Sequence, residues 1–115
     1  MKPNIIKEKS FDFAVDIVNV YKELAYNKKE YVMSRQLLKS GTSIGANVRE
    51  AEFAQSKPDF INKMSISLKE ANETDYWIDL LYATNYLNKE EFDKFKPKSQ
   101  EMLRLLVSIV KSSKD

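Results

Sequence analysis

The chain has 115 residues, no cysteine, no histidine and a formal net charge of +2. A chain of this length suits a single domain, 1–115, that buries roughly two-thirds of its unfolded surface, and the two missing residue types exclude disulfides, zinc–thiolate sites, thiolate nucleophiles and the usual general base. The charge is too weak to argue for nucleic acid by itself, and neither MKPNIIKEKSF at the N-terminus nor any later stretch has the apolar run of a signal peptide or a membrane span, so a cytoplasmic protein without membrane contact is expected.

The first helix is expected at about 11–27, with Ser10 as its N-cap. Ala14, Ile17, Val18, Tyr21, Leu24 and Ala25 recur at helical spacing. Phe11, Phe13 and Val20 lie beside that stripe and widen the apolar face, which is read either as a broad buried face or as a contact with a second subunit. Asn27-Lys28-Lys29-Glu30 is a short polar connection of the kind antiparallel bundles use.

The second helix is expected at about 31–54. Leu37, Gly41, Ile44, Val48 and Ala51 form a narrow seam that holds both glycines of the chain, Gly41 and Gly45, in or beside it. Each glycine costs a helix interior about 1 kcal/mol relative to Ala. Either Ser40–Ser43 is a loop, or the helix continues and small residues let a neighbouring backbone come close; the uninterrupted stripe favours continuity, which makes Gly41 and Gly45 a helix-crossing point.

Ser56 and Pro58 suit the start of a third helix at about 58–86. Its stripe is Ile61, Met64, Leu68, Ala71, Asp75, Ile78 and Tyr82, with one acid on the apolar line and Tyr76, Trp77, Tyr82 and Tyr86 gathered towards its end. Aromatics so placed read first as core or interface anchors. Asn88-Lys-Glu-Glu91 has capping-box form and opens a fourth helix at about 89–112. Pro97 is expected to kink or restart it; Met102, Leu103, Leu105, Leu106, Ile109 and Val110 carry its apolar face onward. Four helices, short connections and no strand alternation make an all-α, up-down-up-down antiparallel four-helix bundle.

The strings QLLKSGTSIGANVREAEFAQSKPDFINKM and SLKEANETDYWIDLL resemble the four-helix-bundle proteins encoded by intervening sequences within bacterial 23S rRNA genes. The resemblance runs from about Phe11 to Val110. It rests on small residues before Asn47, then Ala51, then Asp59-Phe60-Ile61, then Glu70, Glu73, Thr74, Tyr76 and Trp77, and it is weakest around Pro97. It implies a ring-shaped homopentamer of bundles and binding to rRNA, and it supplies no reaction; no cofactor is expected. A relative of that family is the accessory protein of the reverse transcriptase of diversity-generating retroelements, which binds nucleic acid and the polymerase through a basic surface. The resemblance also supports a continuous helix through the glycines.

Acidic residues crowd 69–93, and Lys94, Lys96, Lys98, Arg104, Lys111 and Lys114 follow them. With Lys28, Lys29, Arg35 and Lys39 these are the candidate nucleic-acid contacts; alone they would read as a solvated face, but copies in a ring add their phosphate contacts together. No base-reading motif is present, so shape or backbone recognition is expected. Ser43, Asn47, Glu50, Glu70 and Glu73 are read as a buried polar network between the second and third helices, since buried polar groups need partners. Two alternatives stand beside RNA binding. One is a protein-interaction scaffold, resting on the wide apolar face of the first helix. The other is a Mg²⁺-dependent nucleotide hydrolase using Glu70 and Glu73 with Glu90 and Asp93, carboxylates suited to an oxygen-seeking cation, although capping explains the last two. The expected protein has no catalytic residue and no metal.

Overall fold

A computed structural model describes residues 3–115. Helix α1, Pro3–Lys22, runs on into one π-helical turn, Glu23–Asn27; α2 is Met33–Ala51, α3 Lys57–Ala83 and α4 Lys89–Lys114. They form an antiparallel four-helix bundle 44 Å long, each helix packing on the next and α1 closing more sparsely on α4. The 28–32 and 84–88 connections therefore share one end, and 52–56 lies at the other.

The first helix begins eight positions before its expected start at Phe11. Ser10 is no N-cap. It lies fully buried inside α1, and its Oγ donates to the Lys7 carbonyl. The buried line is Ile6, Ser10, Phe13, Ile17, Val20 and Leu24, with the alternating steps of four and three that keep one helix face inward. A serine on that line disguised the repeat. Phe13 and Val20 are core residues, whereas Phe11 is 55% exposed; the wide apolar face divides into a buried part and a surface part.

The α2 seam lies where it was expected: Leu37, Gly41, Ile44, Val48 and Ala51 are all buried in one continuous helix. The glycines sit where α1 crosses. A Cβ on Gly41 would stand 2.8 Å from Cγ2 and 2.9 Å from Cγ1 of Ile17, whereas one on Gly45 would meet only the Ser10 backbone and hydroxyl at ordinary contact, 3.4 Å. Ile17 is buried and stiff at χ1. Gly41→Ala should therefore lose more to overpacking, about 1–3 kcal/mol, than the roughly 1 kcal/mol that alanine returns to the helix. Gly45→Ala should be neutral or stabilising by up to about 1 kcal/mol. Urea midpoints of the two variants, measured side by side, should move in opposite directions.

On α3 the buried line is Met64, Ser67, Ala71, Thr74, Ile78 and Leu81; Ile61, Leu68, Asp75 and Tyr82 are only half-buried. Two hydroxyls enter the core because each has a partner there. Ser67 Oγ donates to the Ile44 carbonyl at 2.9 Å, and Thr74 Oγ1 lies 2.9 Å from Ser40 Oγ and 2.8 Å from the Glu70 carbonyl. Helices α2 and α3 share the most extensive contact in the bundle.

The caps follow local chemistry. Ser56 accepts from the Asp59 N–H, and Pro58 occupies the first turn of α3. Asn88 and Glu91 complete a capping box on α4. Helix α4 passes unbroken through Pro97, whose exposed position leaves the orphaned Asp93 carbonyl to water. The α2 start was not foreseen: Val32 gives it no side-chain cap. Instead the Glu30 carboxylate, on a residue only 8% exposed, accepts from the N–H groups of Val32, Met33 and Ser34 at 3.2, 3.2 and 2.7 Å.

Candidate nucleic-acid interface

The bundle divides the ten expected cations into paired and unpaired groups. Lys96 lies between two acids of α3, 2.8 Å from Asp75 and 2.9 Å from Asp79, and Ser99 Oγ donates to Asp75 at 2.9 Å. Burial opposes the charge on Lys96, yet hydrogen bonds to Asp75 and Asp79 outweigh it and hold the ammonium above its ordinary 10.5. Lys98 reaches across to Asp16 of α1 at 2.7 Å, beside the Lys9–Glu101 pair at 3.2 Å. Lys28 bridges the two connections at its end of the bundle, donating to the Tyr86 carbonyl and pairing with Glu91 at 3.8 Å. Lys94 lies 5.3 Å from the Phe95 ring centre. Lys96, Lys98 and Lys28 thus each have a carboxylate partner within the bundle, Lys96 being the most buried of the three.

Among the described residues, the expected cations with no carboxylate partner are Lys94, Arg104, Lys111, Lys114, Lys29, Arg35 and Lys39. Arg104, Lys111 and Lys114 share one face of α4 by helical spacing and approach the end that holds the 52–56 connection. Lys29, Arg35 and Lys39 lie at or near the opposite end. The basic surface is therefore two patches at opposite ends of the bundle.

The five residues expected to form one polar network make no side-chain-to-side-chain bonds with one another. Ser43 Oγ donates to the Lys39 carbonyl at 2.6 Å, and Asn47 Nδ2 to the Ser43 carbonyl at 2.9 Å. Glu50 is exposed and pairs with Lys63 at 3.4 Å; Glu73 accepts from Trp77 Nε1 at 3.4 Å. Ser43, Asn47 and Glu73 find partners within their own helices and Glu50 pairs with a lysine of α3, so the five form no single cross-helix network. The interior polar work belongs to Ser40, Ser67 and Thr74, which apolar periodicity cannot register. Asp75 did carry a signal: an acid on an apolar stripe requires a cation from the neighbouring helix.

The acids weighed as a magnesium site are also dispersed. Glu70 and Glu73 lie mid-helix on α3, while Glu90 and Asp93 lie in the first turns of α4, Asp93 paired with Lys89 at 2.7 Å. Among the described residues, no three carboxylates converge as metal ligands, and no helix is long and apolar enough to cross a membrane.

A shallow groove follows the α1–α2 crossing, lined by Phe11, Ala14, Thr42, Gly45, Ala46 and Arg49. The Arg49 guanidinium lies 5.8 Å from the Phe11 ring centre. Phe53, at the end of α2, is the most exposed large apolar residue described.

Comparison with known proteins places this geometry. The family described as 23S rRNA-intervening sequence protein matches residues 2–108. A crystal structure of a protein with unknown function from the S23 ribosomal protein family of Bacteroides thetaiotaomicron VPI-5482 superposes with a TM-score of 0.93. It is 58% identical, over 96% of this chain and 99% of that one. No functionally curated protein matches the chain.

Proposed function

Because the chain belongs to the family of 23S rRNA-intervening sequence proteins, we propose that it is a self-assembling, cytoplasmic RNA-binding bundle that performs no reaction of its own. The carrying observation is the set of cations left without acidic partners, Arg104, Lys111 and Lys114 on α4 and Lys29, Arg35 and Lys39 around the start of α2. Each patch by itself is small. In the pentameric ring that the family resemblance implies, five copies of both act together, and avidity turns weak phosphate contacts into useful affinity. The exposed Phe11 and Phe53 and the groove between α1 and α2 support a subunit contact, since apolar surface of this kind on a small bundle favours burial. Backbone recognition of RNA shape, with rRNA as the first target, follows from a surface of lysines and arginines without a base-reading motif.

Light scattering tests the assembly: a mass near the single-chain 13.4 kDa refutes it. Fluorescence anisotropy with a structured rRNA fragment tests binding. About four phosphate contacts would lose roughly 100-fold in affinity between about 50 and 200 mM salt; no binding at the lower salt removes the RNA reading. The same exposed apolar residues favour a second reading, a scaffold for another protein. A partner that stays bound after nuclease treatment of a pull-down would support it.

A further inference from the structure

We infer that the stretch Lys22–Lys39, at the bundle end formed by the 28–32 and 84–88 connections, is a platform for unpaired nucleotides, with Tyr26 and Tyr31 stacking on bases and Lys29, Arg35 and Lys39 holding the flanking phosphates. This rests on the nucleic-acid reading above and gives it a substrate class.

Four observations meet there. Tyr26 and Tyr31 are 64% and 52% exposed, in a bundle whose other tyrosines, except Tyr76, are at least half-buried. The two acids of the stretch itself have partners: Glu30 turns inward to cap α2, and Glu23 accepts from Asn27 Nδ2 at 2.5 Å. Lys22, Lys29, Arg35 and Lys39 have no carboxylate partner among the described residues. Finally, the segment is held in place. Lys28 ties it to the Tyr86 carbonyl and Glu91, the Tyr21 ring meets Tyr26 edge-on at 6.3 Å, and Tyr26 lies in the π-helical turn, a distortion that recurs at functional sites.

Exposed aromatic rings beside unpaired cations are the combination that binds single strands, because every base offers a π-face once it leaves its pair. A duplex hides those faces and offers only phosphates and groove edges. The α4 patch differs in kind. The exposed apolar residue beside Arg104 and Lys111 is Val107, which cannot stack, so that patch serves phosphates alone. A folded RNA with a loop next to a stem engages both ends of the bundle.

The test is anisotropy titration of the full chain with three short labelled probes: oligo-U, oligo-dT and a blunt RNA duplex. Each is run with the native protein, Tyr26→Ala/Tyr31→Ala, Tyr26→Phe/Tyr31→Phe and Lys111→Ala/Lys114→Ala. Circular dichroism and light scattering check fold and mass. Loss of one stacked base weakens single-strand binding by about fivefold or more. The alanine pair is expected to lose at least that on oligo-U and oligo-dT, to bind the duplex as the native protein does, and to keep the native salt slope; the phenylalanine pair keeps native affinity. Lys111→Ala/Lys114→Ala is expected to weaken the duplex with a shallower salt slope. An alanine pair with native affinity for oligo-U, an equal loss on all three probes, or a changed assembly mass overturns the platform, the last by making the tyrosines a subunit contact. If the native protein binds none of the probes, the nucleic-acid reading itself fails.

Discussion

Replacing Glu30 with Ala is expected to lower the stability of the fold by about 3 kcal/mol, a large share of the 5–15 kcal/mol that small proteins possess. The first N–H groups of a helix have no partners within it. Here the Glu30 carboxylate accepts three of them at the α2 start, where Val32 offers nothing. Loss of an ordinary N-cap costs about 0.5–2 kcal/mol. Glu30 is 8% exposed, so water reaches the released N–H groups poorly, and each buried unsatisfied donor adds about 1–3 kcal/mol. Removal of a negative charge from a helix N-terminus adds up to about 1 kcal/mol more. Glu30→Gln keeps an acceptor oxygen and the side-chain length, so it should lose about half as much. Urea denaturation at one fixed protomer concentration measures both, with an unchanged slope marking a true stability effect. A Glu30→Ala protein as stable as the native one would show that the carboxylate is dispensable to α2. Because Glu30 also fixes the path from Tyr26 through Tyr31 to Arg35, Glu30→Gln, the milder variant, is the one to carry into RNA binding.

Helix type and order were legible because apolar spacing alone specifies them. The α2 seam from Leu37 to Ala51 is apolar or glycine at every step, and each member is buried. What escaped was every polar residue on a seam. Ser10 interrupts the α1 line, so the line seemed to begin after it; Ser67 and Thr74 shifted the apparent α3 face towards Leu68 and Asp75. The core accepts these hydroxyls only because carbonyls of Lys7, Ile44 and Glu70 stand within reach, and a carbonyl's position belongs to the fold. Glu30 was hidden for the same reason: it lies next to lysines in the chain but turns inward to three N–H groups.

The candidate interface was legible as a list of cations and not as a surface. Charge runs identify Lys94 to Lys114 as basic, but sequence distance conceals that Lys96 faces Asp75 and Asp79, and Lys98 faces Asp16. Pairing across the bundle withdraws those lysines and leaves two patches. The exposed tyrosines were equally invisible, since Tyr26 and Tyr31 have the same composition and spacing as core aromatics. Tyr26 lies in the π-helical turn and Tyr31 in the 28–32 connection, and both are exposed there.

Replacing Lys96 with Met is expected to cost about 2–3 kcal/mol at neutral pH, and the loss should depend on pH. Lys96 and Asp75 are only 19% and 18% exposed, whereas Asp79 is 51% exposed. Removing one partner of a fully buried pair costs about 3–5 kcal/mol; here water stabilises Asp79 in part, which lowers the figure. Methionine keeps most of the apolar stem, so the change isolates the ammonium. Two carboxylates one turn apart on the same face of α3 then lose their shared cation, with Ser99 as the one remaining donor to Asp75. The folded protein holds the Lys96 ammonium above its ordinary 10.5. A raised lysine value means that the contribution is fully present below 10.5 and is lost as pH rises through the folded value. The difference in unfolding free energy between native and Lys96→Met should therefore be flat across neutral pH and shrink in alkali above 10.5. Asp79→Asn, which leaves Lys96 with Asp75, should cost less than about 1 kcal/mol. A Lys96→Met penalty that does not vary with pH would assign the residue's worth to packing alone. Lys96→Met also uncovers two negative charges on the α3–α4 face, so RNA affinity should fall, and the fall should disappear at high salt, where exposed charges are screened.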